Sequence, residues 1–509
     1  MLLINSKDYK EKYYSNLWRK IDFEESQNFI YALQEKLSIE SKRKNWDKIK
    51  YIQDLITNSI EIRSLIVKKV IEGSGKRPGI DGILCISDSD KYKGAISLVP
   101  DNYKAKPFRR IVIQDKHKNK ERHISIPTIK DRCMISLYAH ILDPISESTA
   151  DKKSFAFRKG RSALDAHSFV CDSIKYPNSP EWILISDVKS CYESVSHKWI
   201  MDNIPINKKV LYSFLKAGFI FEKELFPTEH GVSLGMSISP IIANMSLDGL
   251  QKIIFELQHS KSIDYSNGNF IRYADDIIVT SKTREFAIKI KSEIEKFLSI
   301  RGMKLSEKKT KIVHISQGFD FLSRHYYKQN GIFYVIPSSK AIKSFEDNLQ
   351  NFIINKGKQI SQRSLIKGIN AKLQGWAGYH RVEDSLNTFK HIDCIVSSLL
   401  LKLMKQIFPS KSEKQIINTY WYEEYGGKKV YSLPQRRDIR VIRLSDVILV
   451  DHQHVILNKN PYIDRKYFEL RLKSQDIQKI NGDLKSIWRR QRGRCFYCGR
   501  KFFKDQQKN

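Results

Sequence analysis

The sequence predicts an α+β fold, and three stretches carry that prediction. Ile183-Leu184-Ile185 runs into Asp187 as a short apolar strand, and Phe270 to Thr280 reads as two strands meeting at Asp275-Asp276. Phe286, Ile290, Ile294 and Phe297 recur at helical spacing before a further strand at Lys311 to His314. Strand, helix and strand alternating in this way point to a sheet with helices on one face.

From the start of the chain, the first 70 residues read as helix. Trp46, Ile49, Ile52, Leu55 and Ile56 share a helical period, and Ile60, Ile62 and Leu65 follow. Gly73, Gly75, Pro78, Gly79, Asp81 and Gly82 then break the pattern with a loop. Between about 103 and 128, Arg110-Ile111-Val112-Ile113 and His123-Ile124-Ser125-Ile126 are β-prone and flank the charged loop Asp115 to Glu121. That is the pattern of a basic hairpin, a finger over a nucleic acid. Beyond about 340 the chain is mainly helical and strongly basic, apart from shorter β-prone or irregular pieces over 425–465. No internal repeat or long low-complexity run is present.

At 509 residues and 41% hydrophobic content the chain can build three or four compact units with buried cores, so it is not a disordered chain. Its 89 Lys and Arg against 56 Asp and Glu leave a net charge of +33, far more than solubility requires. A polyanion is the expected partner, and the spread of basic residues from Lys7 to Lys508 suggests long grooves tracking a phosphate backbone. No stretch approaches the ~20 apolar residues of a membrane span, and Met1 to Tyr14 has neither a signal core nor transit-peptide character. The expectation is a protein used where it is made. Seven Cys, mostly isolated (Cys85, Cys133, Cys171, Cys191, Cys394), do not form a disulfide framework, which fits a reducing interior. The abundance of Lys, Ile and Asn hints at an AT-rich bacterial or organellar genome.

Two adjacent Asp between Ile271-Arg272-Tyr273 and Ile277-Ile278-Val279 would repel each other and resist desolvation, so a cation is needed to offset them. Two divalent ions on such carboxylates can activate a primer 3′-oxygen and stabilise the leaving pyrophosphate oxygen. Mg²⁺ suits hard oxygen donors drawn from one or two carboxylates plus substrate phosphates. Asp187, at the end of a separate apolar run, is the expected third carboxylate. An Asp-Asp pair alone is more often a turn, so the pairing of the two sites carries the inference.

Tyr273-Ala274-Asp275-Asp276, with Asp187-Val188-Lys189-Ser190-Cys191-Tyr192 upstream, resembles the palm of reverse transcriptases. The surrounding blocks resemble the group II intron-encoded reverse transcriptase/maturases. Trp46 to Gly82 is similar to their N-terminal extension, and Tyr103 to Arg132 to their fingers. Phe155-Ala156-Phe157-Arg158-Lys159-Gly160-Arg161-Ser162-Ala163, Ser239-Pro240-Ile241-Ile242-Ala243-Asn244, Lys309-Thr310 and Gly318-Phe319-Asp320-Phe321-Leu322 follow in the family's order. The resemblance implies a right-hand polymerase of fingers, palm with a Tyr-Ala-Asp-Asp hairpin, and thumb, followed by a largely helical RNA- and DNA-binding region. It implies an N-terminal extension over 1–85, fingers and palm over 86–335, and a thumb or maturase domain over 336–420. A DNA-binding region over 421–485 and a truncated HNH endonuclease remnant over 486–509 would complete the chain.

The resemblance also assigns roles. Asp187, Asp275 and Asp276 are the implied catalytic carboxylates, with Val188 beside them among the metal-binding positions for two Mg²⁺ ions. Arg109, Arg122 and Arg132 are implied to meet the incoming triphosphate, where planar guanidinium donors suit phosphate oxygens. Tyr192 is implied to exclude a ribose 2′-hydroxyl. The family usually carries Pro-Gln-Gly where this chain reads Gly231-Val232-Ser233-Leu234-Gly235-Met236, so Leu234 takes the nucleotide-binding position of an amide. That change leaves the strength of polymerisation open.

Gly375-Trp376-Ala377-Gly378-Tyr379-His380-Arg381 resembles the family's RNA-gripping segment, which implies RNA contacts at Trp376, Tyr379, His380 and Arg381. Lys402, Lys405, Lys411 and Lys414 extend the basic surface. Tyr420 to Lys485, with Asn460-Pro461-Tyr462, is similar to the DNA-binding region. Trp488 to Gly499 resembles the opening of the HNH module, including Cys495 and Cys498; half a zinc site implies neither a bound zinc nor an active endonuclease. Implied partners are the group II intron RNA, a DNA target and dNTPs, with no membrane, in a monomer or homodimer. The implied setting is intracellular, in bacterial cytoplasm or an organelle matrix. Two further readings stay open: a splicing maturase with weak or lost polymerase activity, and a reverse transcriptase that serves its host outside any intron.

Overall fold

The computed structural model describes residues 6–73, 77–115, 120–258, 269–424 and 428–478. The tip of the basic hairpin, the side chain of Arg122 and the Cys495–Cys498 segment lie outside the described residues. The chain forms two compact units: the first holds residues 1–173, 180–312 and 455–468, the second 174–179, 313–454 and 469–509.

The first unit opens with four helices, α1 (Ser6–Arg19), α2 (Phe23–Lys42), α3 (Trp46–Asn58) and α4 (Ile60–Gly73), followed by α5 (Asp88–Ile96). The helical reading of this region holds, and its stripe is sharper than the sequence suggested. Ile49, Ile52 and Ile56 are buried, whereas Trp46 and Leu55 face solvent. Asp22 caps α2 by accepting the Glu24 and Glu25 N–H groups. The expected basic hairpin is β1 (Phe108–Asp115) against β2 (Lys120–Ile126), paired from Arg109↔Ile126 to Asp115↔Lys120. With β4 (Phe219–Phe221) and β5 (Glu224–Phe226) these make a sheet of order β2-β1-β4-β5.

The long helix α6 (Ile129–Thr149) starts at Thr128, whose hydroxyl caps Asp131 N–H, and Asp131 in turn accepts the Tyr103 hydroxyl at 2.5 Å. Burial of Tyr138, Leu142 and Ile145 from α6 against Ile30 and Leu37 of α2 and Ile62 and Ile66 of α4 anchors the core. Non-directional burial of this kind supplies most of the folding drive. Next come α7 (Ala163–Ile174), β3 (Trp182–Asp187), α8 (Cys191–Ser194), α9 (His197–Asn203) and α10 (Lys208–Leu215). After the β4–β5 hairpin follow α11 (Ser239–Leu247), α12 (Leu250–Gln258), β6 (Phe270–Tyr273), β7 (Asp276–Ser281) and α13 (Arg284–Ser299). The central sheet runs β6-β7-β3-β8, with β8 (Lys311–His314) at its edge. Phe286, Ile290, Ile294 and Phe297 of α13 are all buried, as their spacing predicts.

The second unit contains a three-stranded sheet, β9 (Phe319–Phe321), β10 (Arg324–Gln329) and β11 (Ile332–Pro337), and the helices α14 (Ser339–Gln350), α15 (Gln362–His380), α16 (Leu386–Ile407) and α17 (Glu413–Tyr420). A second small sheet, β12 (Trp421–Glu424), β13 (Lys428–Leu433) and β14 (Arg436–Arg440), begins just before the interval 425–465 expected to be β-prone or irregular and fills its first part; α18 (Arg465–Gln478) follows. Leu365, Ile369 and Leu373 of α15 pack with Phe389, Val396 and Leu403 of α16 in this unit's own core. Among the described residues no helix is long and apolar enough to cross a membrane.

Candidate active site

Antiparallel pairing of β3 with β7 places Asp187 directly opposite Asp276. The β6–β7 hairpin closes on the Tyr273↔Asp276 pair, leaving Ala274 and Asp275 as its two-residue turn. Such turns need a positive φ, and Ala274 adopts φ 56°. The turn is held from the β3 side, where Val188 N–H donates to the Asp275 carbonyl at 3.2 Å. Asp187 is fixed from the other direction: its own carbonyl accepts Ser306 N–H at 2.7 Å, and Val188 bridges to Leu305. The adjacent Asp275 and Asp276 are thereby gathered with the sequence-remote Asp187 at one end of the sheet.

Their charges are crowded. Burial, then the neighbouring Asp275 and Asp187 carboxylates, push the Asp276 carboxyl up to about 6, while Lys309 acts in the opposite direction. Lys309 Nζ donates to Asp187 Oδ2 at 2.5 Å and is the cation seen against the cluster. Among the described residues no three His, Cys, Asp or Glu side chains form a ready-made metal cage. The oxygens of Asp187, Asp275 and Asp276, with the strand edge at Val188, nevertheless suit hard divalent cations that take few carboxylates and complete their shell with phosphate and water. A divalent cation would also offset the repulsion that raises Asp276.

A pH dependence follows. The folded carboxyl of Asp276 titrates above its unfolded value near 3.9, so the cation-free folded chain binds more protons between those values. Its stability therefore rises as pH falls from about 6 toward 4, by at most about 3 kcal/mol from this group. Comparing thermal midpoints of wild type and Asp276→Asn across pH 4–7 checks this: the Asn variant should lose that rise, and parallel profiles would contradict it.

Tyr192 sits at the start of the turn after β3, where Ser190 takes a left-handed φ of 47°. Its ring is half-buried and burial pushes its hydroxyl up, so the phenol stays neutral. The Gly231–Met236 segment is laced between this turn and the basic hairpin. Val232 N–H donates to the Tyr192 carbonyl at 2.6 Å, Gly231 N–H to Val195 O at 2.7 Å, and Ser125 N–H to the Leu234 carbonyl at 3.0 Å. Gly231 has φ +74°, and a Cβ there would lie 2.5 Å from the Tyr192 carbonyl oxygen. Gly231→Ala should accordingly cost about 2 kcal/mol or more and displace Tyr192. Chemical denaturation alongside a nucleotide-discrimination assay measures both, and a fully stable variant with unchanged discrimination would remove this role. Leu234 lines a cleft of about 350 Å³ with Arg110, His123, Glu193, Phe219 and His230.

Of the three expected triphosphate cations, Arg109 and Arg132 lie close enough to interact. Burial first, and Arg109's like charge among its neighbours, lower the proton affinity of Arg132. Arg132 Nε donates to Pro127 O at 3.0 Å, while the buried Arg109 Nε has no acceptor among the described residues. Arg122 pairs in register with Ile113, and its side chain is outside the described residues. Arg110 points elsewhere, over the Phe219 ring at 3.1 Å.

In the second unit the structure engages the Trp376 to Arg381 segment internally. Trp376 stacks on Phe345 at 4.8 Å with an interplanar angle of 3°, and His380 is 2% exposed with Nδ1 2.5 Å from Glu383 Oε1. Glu383 also pairs with the fully buried Arg324, which donates to Tyr379 O at 2.6 Å. His380 is therefore corrected from an RNA contact to a buried anchor of the α15 end. Tyr379 and Arg381 keep partial exposure. Sequence reasoning missed Lys309 as a site residue, although the Lys309-Thr310 block was visible, and gave no role to Arg272 or Gly231.

Residues 113–326 match the family description "Reverse transcriptase (RNA-dependent DNA polymerase)", 342–421 match "Group II intron, maturase-specific domain" and 18–98 match "N-terminal domain of reverse transcriptase". The chain is similar to the group II intron-encoded protein LtrA of Lactococcus lactis subsp. cremoris, 23% identical with 62% of this chain and 67% of that protein covered. Protein YkfC of Escherichia coli K12 is 25% identical, covering 52% of this chain and 81% of its own length. A solved telomerase from Candida albicans aligns with TM-score 0.37 and 14% identity over 63% of this chain and 64% of that one.

Proposed function

We infer that this chain, which belongs to the group II intron-encoded reverse transcriptase/maturases, copies RNA into DNA and binds and helps splice the intron RNA that encodes it. The observation that carries the polymerase reading is the Asp187↔Asp276 register with Asp275 on the adjoining turn. Two Mg²⁺ ions held there by Asp187, Asp275 and Asp276 would supply the Lewis-acid chemistry of an in-line nucleotidyl transfer. The protein's own part is positional. Arg109, Arg122 and Arg132 draw in the dNTP triphosphate, Tyr192 excludes a 2′-hydroxyl by its bulk, and Leu234 packs beside the nucleotide where an amide would hydrogen-bond. Tyr379 and Arg381, with the lysines of α16 and the following loop, offer the second unit's RNA surface, and Trp376 and His380 hold its shape. A DNA target is the proposed third partner, served by the basic surface beyond residue 421.

Leu234 favours a second reading, a splicing maturase with weakened polymerisation, because its side chain offers the nucleotide no hydrogen bond. Primer extension on a primed RNA with dNTPs and Mg²⁺ separates the two. Extension by wild type that Asp275→Ala abolishes, with RNA affinity and splicing kept, supports the first. Splicing without extension on any primed RNA selects the second.

A further inference from the structure

Arg272 lies on β6 immediately before Tyr273 and is fully buried. Its guanidinium reaches three places at once: Asp248 Oδ1 at 2.5 Å, Asn244 Oδ1 at 3.0 Å, and the carbonyl of Ala274 at 3.4 Å. The first two acceptors belong to the end of α11, and the third is the left-handed residue of the catalytic turn. The anchors are themselves tied down. Asp248 Oδ1 accepts Asp151 N–H at 3.3 Å, the Asp151 carboxylate accepts Gly249 and Gln251 N–H at 3.1 and 3.2 Å, and Arg158 donates to Asp151 O at 2.7 Å. The backbone of Arg272 is clamped as well, donating to Lys153 O at 2.9 Å and accepting Phe155 N–H at 3.0 Å.

An apolar residue of similar size would fill this space without desolvating a charge, since buried ion pairs contribute little net stability over well-packed apolar replacements. What an apolar residue lacks is the fork that joins helix α11 to the Ala274 carbonyl in fixed geometry. We propose that Arg272 is a positioning residue for the Tyr273–Asp276 turn, setting where the Asp275 and Asp276 oxygens stand relative to Asp187. It touches no substrate and acts through Ala274. The inference rests on the polymerase reading of that turn.

The test is the double variant Arg272→Met/Asp248→Leu, which removes both buried charges together, in the full-length protein bound to primed RNA. Its thermal midpoint and RNA affinity should stay close to wild type and its dNTP KM within about twofold, while kcat falls by up to about 10²-fold, as for misplaced reacting groups. Mn²⁺ titrated into the complex with a 3′-deoxy primer and dNTP, read by EPR, should bind about tenfold more weakly than to wild type. A folded double variant with wild-type kcat and Mn²⁺ affinity overturns the proposal and leaves Arg272 a packing residue. Should that variant fail to fold, Asn244→Ala, which keeps the ion pair and removes one anchor, takes its place, with a kcat loss at unchanged KM expected and unchanged kcat overturning. An inactive wild type would instead count against the polymerase reading, and the Mn²⁺ titration still reports on the turn.

Discussion

Asp275→Ala should lower the rate of primer extension on an RNA template by on the order of 10³-fold or more, with RNA affinity unchanged within about twofold. The size follows from position. Asp275 occupies the two-residue turn itself, its carbonyl held by Val188 N–H, and its carboxylate is a leading contributor to the raised titration of Asp276. Removing it deletes a hard oxygen donor and also lets Asp276 fall back toward the ordinary carboxylate range. Affinity for RNA comes from elsewhere, from a net charge of +33 spread along the chain, so losing one acid cannot weaken it. A variant that extends primers within tenfold of wild type would mean that the chemistry does not run through this turn. Asp187→Asn tests the same cluster from β3, where Lys309 would lose its charged partner.

The elements around this site were legible because each has a local signature. The apolar run before Asp187, the two strands flanking Asp275-Asp276 and the stripe of α13 all appear where the periodicity put them. Register was not legible. Nothing in the sequence says that β3 lies beside β7 with Asp187 facing Asp276, because that pairing joins distant strands and depends on the sheet order β6-β7-β3-β8. Lys309, Arg272 and Gly231 were missed for the same reason, since their roles depend on partners remote in sequence. The Trp376 segment misled differently. Aromatic and cationic residues together suit RNA, but Trp376 and His380 are four apart on one helix, and that spacing brings their rings into a tilted contact, centroids 4.5 Å apart, against the core. Asn460-Pro461-Tyr462 was read as part of a DNA-binding region. The structure packs it in the first unit, with Asn460 Nδ2 3.0 Å from Ser38 Oγ and the Tyr462 hydroxyl on the Asp143 carboxylate.

Arg324→Met should destabilise the second unit by about 3–5 kcal/mol, the cost of leaving a buried carboxylate without its cation. Both partners are completely buried, and Glu383 has two obligations, to Arg324 through one oxygen and to His380 through the other. Arg324 also donates to Tyr379 O and lies over the Tyr379 ring at 4.2 Å, so the substitution loosens the end of α15 and the start of β10 together. In a unit of this size the loss corresponds to roughly 10 °C in thermal midpoint. Arg324→Met/Glu383→Leu should recover much of it, because removing both charges leaves no orphaned ion, although His380 and the Tyr379 carbonyl each lose a hydrogen bond. Thermal unfolding of the two variants beside wild type decides the matter. If the single variant melts with wild type, Glu383 is not held as a charge, and the end of α15 is fixed by packing of Trp376 on Phe345 alone.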